Sequence, residues 1–357
     1  MRIVGPSIVN QAVPSPPPAG SSGRPLRVGV LGCGYIADIH MQSLLRTGPI
    51  ELVAADADPA AAERLVAAHG GRQVEPTRLA ASDLDVAYVC TPHDVRLGPV
   101  EALASTTPLV VCEKPLALTF GQAQCLVDRL GDDGERVVVA FNLRFMPGVL
   151  ALADWLGPRR TQVRRVRVDV TSPPFLDSWA GTRERGGGVL VCLGSHAIDL
   201  WRHLLGREAV EVRAVASHVR LGPELEPDTA TVVLRDADGI LATVTVQDAG
   251  SDRWSIEARQ MLDIDIRTTA AAARASAVAL TTWEDEPTVR AVHLDGGSGD
   301  FLEDWGYAGM ARAVRRRLSG LPQDAPTPEL ASLADGLAVA RLVDRAREAA
   351  HHSCTAP

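Results

Sequence analysis

Short apolar runs alternate with longer amphipathic stretches from residue 26 to about residue 141. The runs have the length and valine-rich composition of buried strands, and they lie at 26–31, 51–56, 85–90, 109–112 and 136–141. Stretches with helical spacing separate most of them, such as the alanine-rich segment that Pro59 opens and Gly70 closes. This alternation of strands and helices predicts an α/β fold with a parallel, doubly wound sheet.

The pattern changes after about residue 145. Residues 165–170 alternate strictly between apolar and polar, as a half-buried strand does. Two further strand-like runs flank the turn sequence at 236–239, which is a hairpin signal. A C-terminal α+β domain with a mostly antiparallel, open sheet is therefore predicted. Its strands are expected at 165–170, 211–220, 229–234 and 240–247, and helices are expected at 189–204, 302–319 and 328–350, while 270–275 fits neither pattern.

The length of 357 residues exceeds what one hydrophobic core usually serves, so two domains are expected. Residues 1–25, rich in proline, glycine and serine, are predicted to form a disordered leader. Residues 26–145 are predicted to form the parallel-sheet domain, and 146–357 to form a substrate and oligomerisation domain.

Composition excludes several classes of function. The net charge of −8 argues against nucleic acid as a partner. No apolar run reaches the length of a membrane span, and no secretory signal pattern is present, so a soluble, cytoplasmic protein is predicted. The six cysteines include no Cys-x-x-Cys pair and favour reduced thiols over a disulfide framework.

One lysine, Lys114, stands among 36 basic residues, and the other 35 are arginine. Arginine keeps its proton at any ordinary pH, whereas lysine can be adapted to transfer one. The exception therefore marks a candidate proton-transfer group. Chance survival of a single surface lysine is the alternative.

A glycine-rich turn follows the first predicted strand. The run from Gly32 through Cys33, Gly34, Tyr35 and Ile36 to Ala37 fits G-x-G-x-x-G/A. The first glycine permits the tight turn, the second lets a pyrophosphate approach the backbone, and the phosphate meets the amide end of a helix. In this strand–turn–helix context the motif predicts a Rossmann dinucleotide-binding domain.

Asp56 closes the next predicted strand at the distance expected of a ribose-binding acid. A carboxylate there accepts the ribose hydroxyls of NAD and repels the extra phosphate of NADP, so NAD is favoured over NADP. Asp58 is a rival, although its place before Pro59 suits the start of a helix.

Further motifs follow in a fixed order. They are Thr91-Pro92, Glu113-Lys114-Pro115, Asn142-Leu143-Arg144-Phe145, and Gly186-Gly187-Gly188 followed by His196 and Asp199. In this combination the chain resembles the Gfo/Idh/MocA (glucose–fructose oxidoreductase/inositol dehydrogenase) family. The resemblance implies an NAD(P)-dependent dehydrogenase or reductase that acts on a sugar, a cyclitol or a related polyol or ketone. It also implies a homodimer or homotetramer that uses the exposed sheet face.

The resemblance implies roles for individual residues. Lys114 would lie beside nicotinamide and substrate, and His196 would be the catalytic base. Arg144, Cys192, His196 and Asp199 would lie near the substrate. Cofactor contacts would come from Gly32, Gly34, Tyr35, Ile36, Asp56, Thr91, Pro92, His93, Glu113, Lys114 and Asn142.

The chain departs from the family pattern Asp-x-x-x-His-x-x-Asp, because Cys192 stands where the first aspartate belongs. Loss of that carboxylate should make His196 a weaker base. Cys192 is then a small buried residue, with proton transfer rearranged around Lys114 and His196. Two alternatives are a metal stripe of Cys192, His196 and His203, although no metal is predicted, and a nucleophilic cysteine.

The family commonly has Thr-Pro-Asn-x-x-His where this chain has His93 and Arg96. His93 could face the nicotinamide and Arg96 could hold an anionic group of the substrate, or both could lie in a solvated helix start. Arg144 could contact substrate or form an ion pair between domains.

The function predicted from these features is NAD(P)-dependent hydride transfer to or from a polyol or keto substrate, in specialised metabolism. One alternative is an NAD-retaining enzyme without net redox change, of the glycosidase or epimerase type. Another is a catalytically decayed protein that only binds the cofactor.

Overall fold

A computed structural model describes residues 24–248, 262–284, 289–290, 298–320 and 328–354. The predicted leader therefore lies outside the described residues except for Arg24 and Pro25. The chain divides into two compact units. Among the described residues, the first comprises 24–117, 121–140, 307–320 and 328–336, and the second comprises 118–120, 141–248, 262–284, 289–290, 298–306 and 337–354.

The first unit contains a seven-stranded sheet, and the predicted doubly wound Rossmann architecture is confirmed. Across the sheet its strands are β15 (Ala331–Ser332), β6 (Val137–Val139), β5 (Val110–Cys112), β4 (Val86–Val89), β1 (Leu26–Leu31), β2 (Ile50–Ala55) and β3 (Arg72–Gln73). All pairs are parallel except β15 with β6. The helices are α1 (Tyr35–Leu45), α2 (Pro59–His69), α3 (Leu97–Ala104), α4 (Phe120–Leu130) and α8 (Tyr307–Ser319).

Local chemistry explains the boundaries of α2. The Asp58 carboxylate accepts a hydrogen bond from the Ala60 amide at 3.1 Å and so caps the helix, and Pro59 occupies its first position. Gly70, at φ 76°, ends it. The predicted bounds of α2 are confirmed, and the helix-start interpretation of Asp58 is the one that the structure supports.

The second unit contains an eight-stranded, mostly antiparallel sheet, as predicted. Across the sheet its strands are β14 (Val289–Arg290), β13 (Leu280–Glu284), β12 (Ala271–Ser276), β11 (Leu262–Thr268), β7 (Val163–Ser172), β10 (Leu241–Asp248), β9 (Thr229–Asp236) and β8 (Ala209–Ser217). Only β7 and β10 pair in parallel. The helices are α5 (Pro147–Leu156), α6 (Ser195–Leu205), α7 (Phe301–Asp304) and α9 (Leu333–Cys354).

Three segments differ from the predicted elements. The unassigned alanine-rich stretch is strand β12, because β11 and β13 pair with it on both sides. The predicted helix 302–319 is split into α7 and α8 at Gly306, which has φ 79°. The strand predicted to reach residue 220 ends at Ser217, because the amides of Val219, Arg220 and Leu221 donate to the carboxylate of Asp228.

The predicted domain boundary at 145/146 also differs from the division into units. The first unit ends at residue 140, and a later segment that begins at residue 307 also belongs to it. The cause is long-range pairing, because α8 packs against α1 and β15 pairs with β6. Because residues 331 and 332 form β15, α9 begins at residue 333 and not at residue 328, where the helix was predicted to begin.

Candidate active site

The carboxyl ends of β1, β4 and β5 lie at the same edge of the parallel sheet, since neighbouring parallel strands point the same way. The strand order reverses direction between β1 and β4, which makes this edge a topological switch point. Gly32 follows β1, Thr91 lies just beyond β4, and Lys114 lies just beyond β5. The first unit therefore brings three predicted site residues to the edge where ligands of open α/β sheets bind.

The two glycines of the turn differ in their surroundings. Gly32 has φ 89°, and a Cβ atom there would lie 2.8 Å from the Cys90 carbonyl carbon and from the Thr91 amide nitrogen. A Cβ atom on Gly34 would meet nothing within 4 Å. The first glycine is thus required by the backbone, while the second leaves open space before the amide end of α1. Such a cradle fits a pyrophosphate.

Two further features of this edge fit a dinucleotide. The hydroxyl of Thr91 is buried and has no hydrogen-bond partner among the described residues, so a ligand could satisfy it. A cavity of about 280 Å³ opens nearby. Its lining is mostly apolar, which suits the flat nucleobase of a dinucleotide. The lining residues are Leu31, Pro76, Thr77, Leu79, Ala80, Gly98, Pro99, Ala102 and Leu103.

Asp56 is fixed at the end of β2 beside the glycine turn. One carboxylate oxygen accepts from the Cys33 amide at 2.6 Å, and the other accepts from the Asp58 amide at 2.8 Å. Each oxygen retains a further lone pair for a ligand hydroxyl. Tyr35 is 44% exposed on the first turn of α1, and Ile36 is half-buried beside it.

Alanine at the two glycines should have different effects. Gly34→Ala should melt within about 2 °C of the wild type, since nothing in the fold meets the added methyl. It should nevertheless weaken NADH binding by at least about tenfold, because the methyl would occupy the pyrophosphate space. Gly32→Ala should lower the melting temperature as well as the affinity, because its φ is positive and backbone atoms crowd the methyl. Thermal melts and NADH fluorescence titrations check both. Equal affinity of Gly34→Ala and wild type would contradict the assignment.

The turn after β5 is held by Glu113. One of its carboxylate oxygens lies 2.7 Å from Nε2 of His40, and the other accepts the Lys114 amide at 3.0 Å. Burial alone would raise the pKa of Glu113, but the hydrogen bond and charge of His40, with the charges of Lys114 and Arg96, hold that pKa below its usual range. The predicted cofactor residue Glu113 thus supports the backbone of Lys114, whose side chain is half-buried.

His93 and Arg96 do not lie in a solvated helix start, so that alternative is wrong. They are only 6% and 2% exposed. Burial, followed by the charges of Arg96 and Lys114, lowers the pKa of His93 to about 2. The guanidinium of Arg96 is directed at backbone carbonyls of its own unit instead of an external anion.

Asn142 and Arg144 were predicted in the first domain, but both belong to the second unit. The side-chain amide of Asn142 donates to the Trp305 carbonyl at 2.9 Å. Arg144 forms a bidentate ion pair with Asp199, at 2.8 and 2.5 Å, and both side chains are almost fully buried. The predicted ion pair exists, but it lies within one unit and does not join two.

The helix predicted from Val189 to Leu204 has two parts. Residues Leu190–Gly194 form a π-helix, and α6 follows. Because π-helical hydrogen bonds span five residues instead of four, Cys192 does not share the regular α-helical stripe assumed in the sequence prediction. The Cys192 thiol is 5% exposed and donates to the Gly186 carbonyl at 3.5 Å. This supports the interpretation of Cys192 as a small buried residue.

His196 is 7% exposed at the start of α6, with its ring edge-on to Phe141 at a centroid distance of 6.0 Å.

Within the described ranges, no group of three or more histidine, cysteine or acidic side chains is arranged to hold a metal ion. No helix in the same ranges is long and apolar enough to cross a membrane.

The sequence analysis missed the structural roles of two residues. His40 supports Glu113, and Arg96 holds the backbone near Lys114. For Arg96 a signal existed, since arginine replaces the histidine common at this place in the family. His40 carried no signal beyond its position on the buried face of α1.

Comparisons with known proteins agree with this arrangement. Residues 26–141 match the model of an oxidoreductase family with an NAD-binding Rossmann fold. Residues 161–267 match the model of a GFO/IDH/MocA C-terminal domain. The chain is 32% identical to myo-inositol dehydrogenase Hyg17 of Streptomyces leeuwenhoekii, over 68% of this chain and 73% of that protein. The chain belongs to the Gfo/Idh/MocA family.

One further relative supports the family assignment, and one solved structure shares the fold. Inositol 2-dehydrogenase of Rhizobium meliloti (strain 1021) is 31% identical, over 62% of this chain and 68% of that protein. The structure of levoglucosan dehydrogenase with NADH and L-sorbose shares the fold, with a TM-score of 0.76 at 20% identity, over 92% of this chain and 98% of that one. The predicted family, fold and NAD(P)-dependent oxidoreductase class are confirmed.

Proposed function

We propose that this Gfo/Idh/MocA oxidoreductase is an NAD-dependent dehydrogenase of a cyclitol or closely related polyol. The observation that carries the proposal is the switch-point edge of the first unit, where the glycine turn, the buried Thr91 hydroxyl and Lys114 follow adjacent strands. The substrate class is supported by two relatives above 30% identity that are named as inositol dehydrogenases.

Bound NAD would accept a hydride from the alcohol carbon. The chain must then handle the hydroxyl proton, and a positioned acid or base contributes roughly 100- to 10,000-fold to such a step. We assign this task to two residues. Lys114 relays this proton, and His196 is the base that finally accepts it. In the reverse direction the same groups return it.

Asp56 supports NAD as the cofactor in preference to NADP. Its carboxylate is fixed by the Cys33 and Asp58 amides beside the glycine turn, where it would accept the ribose hydroxyls. A phosphate on that ribose would meet a fixed negative charge. Ala57, Asp58 and Pro59 follow in the sequence and supply no compensating cation.

The test is a steady-state assay with myo-inositol, scyllo-inositol, sorbitol and D-glucose, each with NAD⁺ or NADP⁺, monitored at 340 nm. We expect stoichiometric NADH formation with a cyclitol and a preference for NAD⁺ of roughly tenfold or more in kcat/KM. Product without NADH, from protein purified with bound cofactor, would instead indicate the NAD-retaining chemistry. Binding of NADH without turnover of any polyol or the matching ketone would contradict a dehydrogenase.

His93 should not control the pH dependence of this reaction. Because its pKa is lowered to about 2, it is neutral throughout the range from pH 5 to 9 and does not titrate there. His93→Asn should therefore keep the acidic limb of the kcat/KM profile at the wild-type pH. His196→Asn, the matched substitution at the proposed base, should abolish that limb and most of the turnover. A shifted limb in His93→Asn would show that His93 titrates.

A further inference from the structure

Arg96 is a buried cation close to Lys114. It is 2% exposed and lies between the turn after β4 and the start of α3. A guanidinium removed from water requires hydrogen-bond acceptors. In this chain the acceptors are backbone carbonyls, which belong to Thr91, Glu113 and Pro115.

The positions of these carbonyls indicate what the guanidinium does. Nε and one terminal nitrogen donate to the Thr91 carbonyl at 3.2 and 2.6 Å. The other terminal nitrogen donates to the Glu113 carbonyl at 2.5 Å and also to that of Pro115. Glu113 and Pro115 are the two neighbours of Lys114. One side chain therefore holds the backbone on both sides of the lysine and ties it to the turn after β4.

Only a planar fork can make this set of bonds. Arginine presents five N–H donors in fixed directions, whereas lysine is a point charge with a flexible stem. The Glu113 carboxylate adds a second support, since it accepts the Lys114 amide while its other oxygen lies against His40. The lysine backbone is thus fixed by two buried groups of the same unit, the Arg96 guanidinium and the Glu113 carboxylate.

We propose that Arg96 is a positioning residue for Lys114, which it aligns by clamping the carbonyls of Glu113 and Pro115 to that of Thr91. The inference rests on the proposed function, because it assumes that Lys114 acts in turnover. A displacement of about 1 Å in a reacting group can lower a rate by roughly 100-fold. Loss of the clamp should therefore lower kcat more than it weakens NADH binding.

The first measurement needs no turnover. Hydrogen–deuterium exchange of Arg96→Gln and Arg96→Lys should show faster exchange in peptides that cover residues 90–96 and 112–117, with little change elsewhere. Arg129→Gln is the matched control, since Arg129 is 60% exposed on α4. Arg96→Lys keeps the positive charge, so it still tests the clamp if the glutamine variant does not fold. Unchanged exchange in both Arg96 variants would overturn the clamp.

The second measurement separates positioning from general stability. In the wild-type background Arg96→Gln and Arg96→Lys should lower kcat with cyclitol by roughly 10- to 100-fold and change the NADH dissociation constant by less than about threefold. In the Lys114→Ala background Arg96→Gln should have almost no further effect, because no ammonium remains to be aligned. The same fold-loss in both backgrounds would show a merely structural role.

The outcomes distinguish the two proposals. If Lys114→Ala abolishes turnover while Arg96→Lys and Arg96→Gln keep wild-type kcat, the role of Arg96 is overturned and that of Lys114 stands. If Lys114→Ala turns over normally, the catalytic assignment and the positioning role both fail, even where exchange shows the clamp itself.

Discussion

Lys114→Arg should lower kcat by on the order of 100- to 10,000-fold while NADH binding stays within about threefold of the wild type. The substitution keeps the positive charge but replaces a proton donor of adjustable acidity with a group that does not release its proton. Stopped-flow measurement of NADH formation would separate the chemical step from cofactor binding.

The control for this prediction is the reverse exchange at an exposed position. Arg64 is 70% exposed on α2, and Arg64→Lys should leave kcat and KM unchanged. Lys114→Arg with kcat within a few-fold of the wild type would remove Lys114 from the mechanism. Loss of NADH binding in the same variant would show that Lys114 acts mainly in cofactor binding and not in proton transfer.

Asp199→Asn should destabilise the second unit by about 3–5 kcal/mol, because it leaves the buried Arg144 guanidinium without its carboxylate. A loss of this size corresponds to a fall in melting temperature of roughly 10 °C. Differential scanning calorimetry of the holoenzyme measures it. The magnitude follows from burial, since the two side chains are only 5% and 1% exposed.

Two companion variants test that explanation. Glu208→Gln makes the same carboxylate-to-amide change in the ion pair with Arg202, where the glutamate is 63% exposed, and should shift the melting temperature little. Replacing both buried partners, as Arg144→Met with Asp199→Leu, should recover most of the lost stability. A double variant as unstable as Asp199→Asn would show that packing at this site, and not the uncompensated charge, determines stability.

Much of the fold was predictable because its signals are local. The strand Leu26–Leu31 is apolar except for Arg27, and α2 carries proline at its start and glycine after its end. Strict alternation of apolar and polar residues in β7 and the hairpin turn between β9 and β10 predicted the antiparallel sheet.

The features that escaped prediction depend on distant parts of the chain. Alanine-rich β12 has low strand propensity, and pairing with both neighbours overrides it. Residues 307–320 and 328–336 belong to the first unit because of contacts with α1 and β6, which no local pattern encodes. The π-helix at Leu190–Gly194 likewise has no signature in its apolar sequence.

In the candidate site, too, local motifs were predictable and contacts between distant residues were not. Motif spacing predicted Gly32, Asp56 and Lys114 as site residues, and each lies in the short segment that follows a strand. It did not reveal that Arg96 is buried, since its acceptors are main-chain carbonyls up to 19 residues away. Sequence spacing also could not show that Arg144 and Asp199, 55 residues apart, neutralise each other.

A crystal structure of the enzyme with NADH and a bound cyclitol would test the catalytic assignment most directly, through the distance from Nζ of Lys114 to the reacting oxygen. We expect hydrogen-bonding distance, about 2.6–3.2 Å. A lysine side chain directed into solvent, with the ligand oxygen held by other groups, would contradict it.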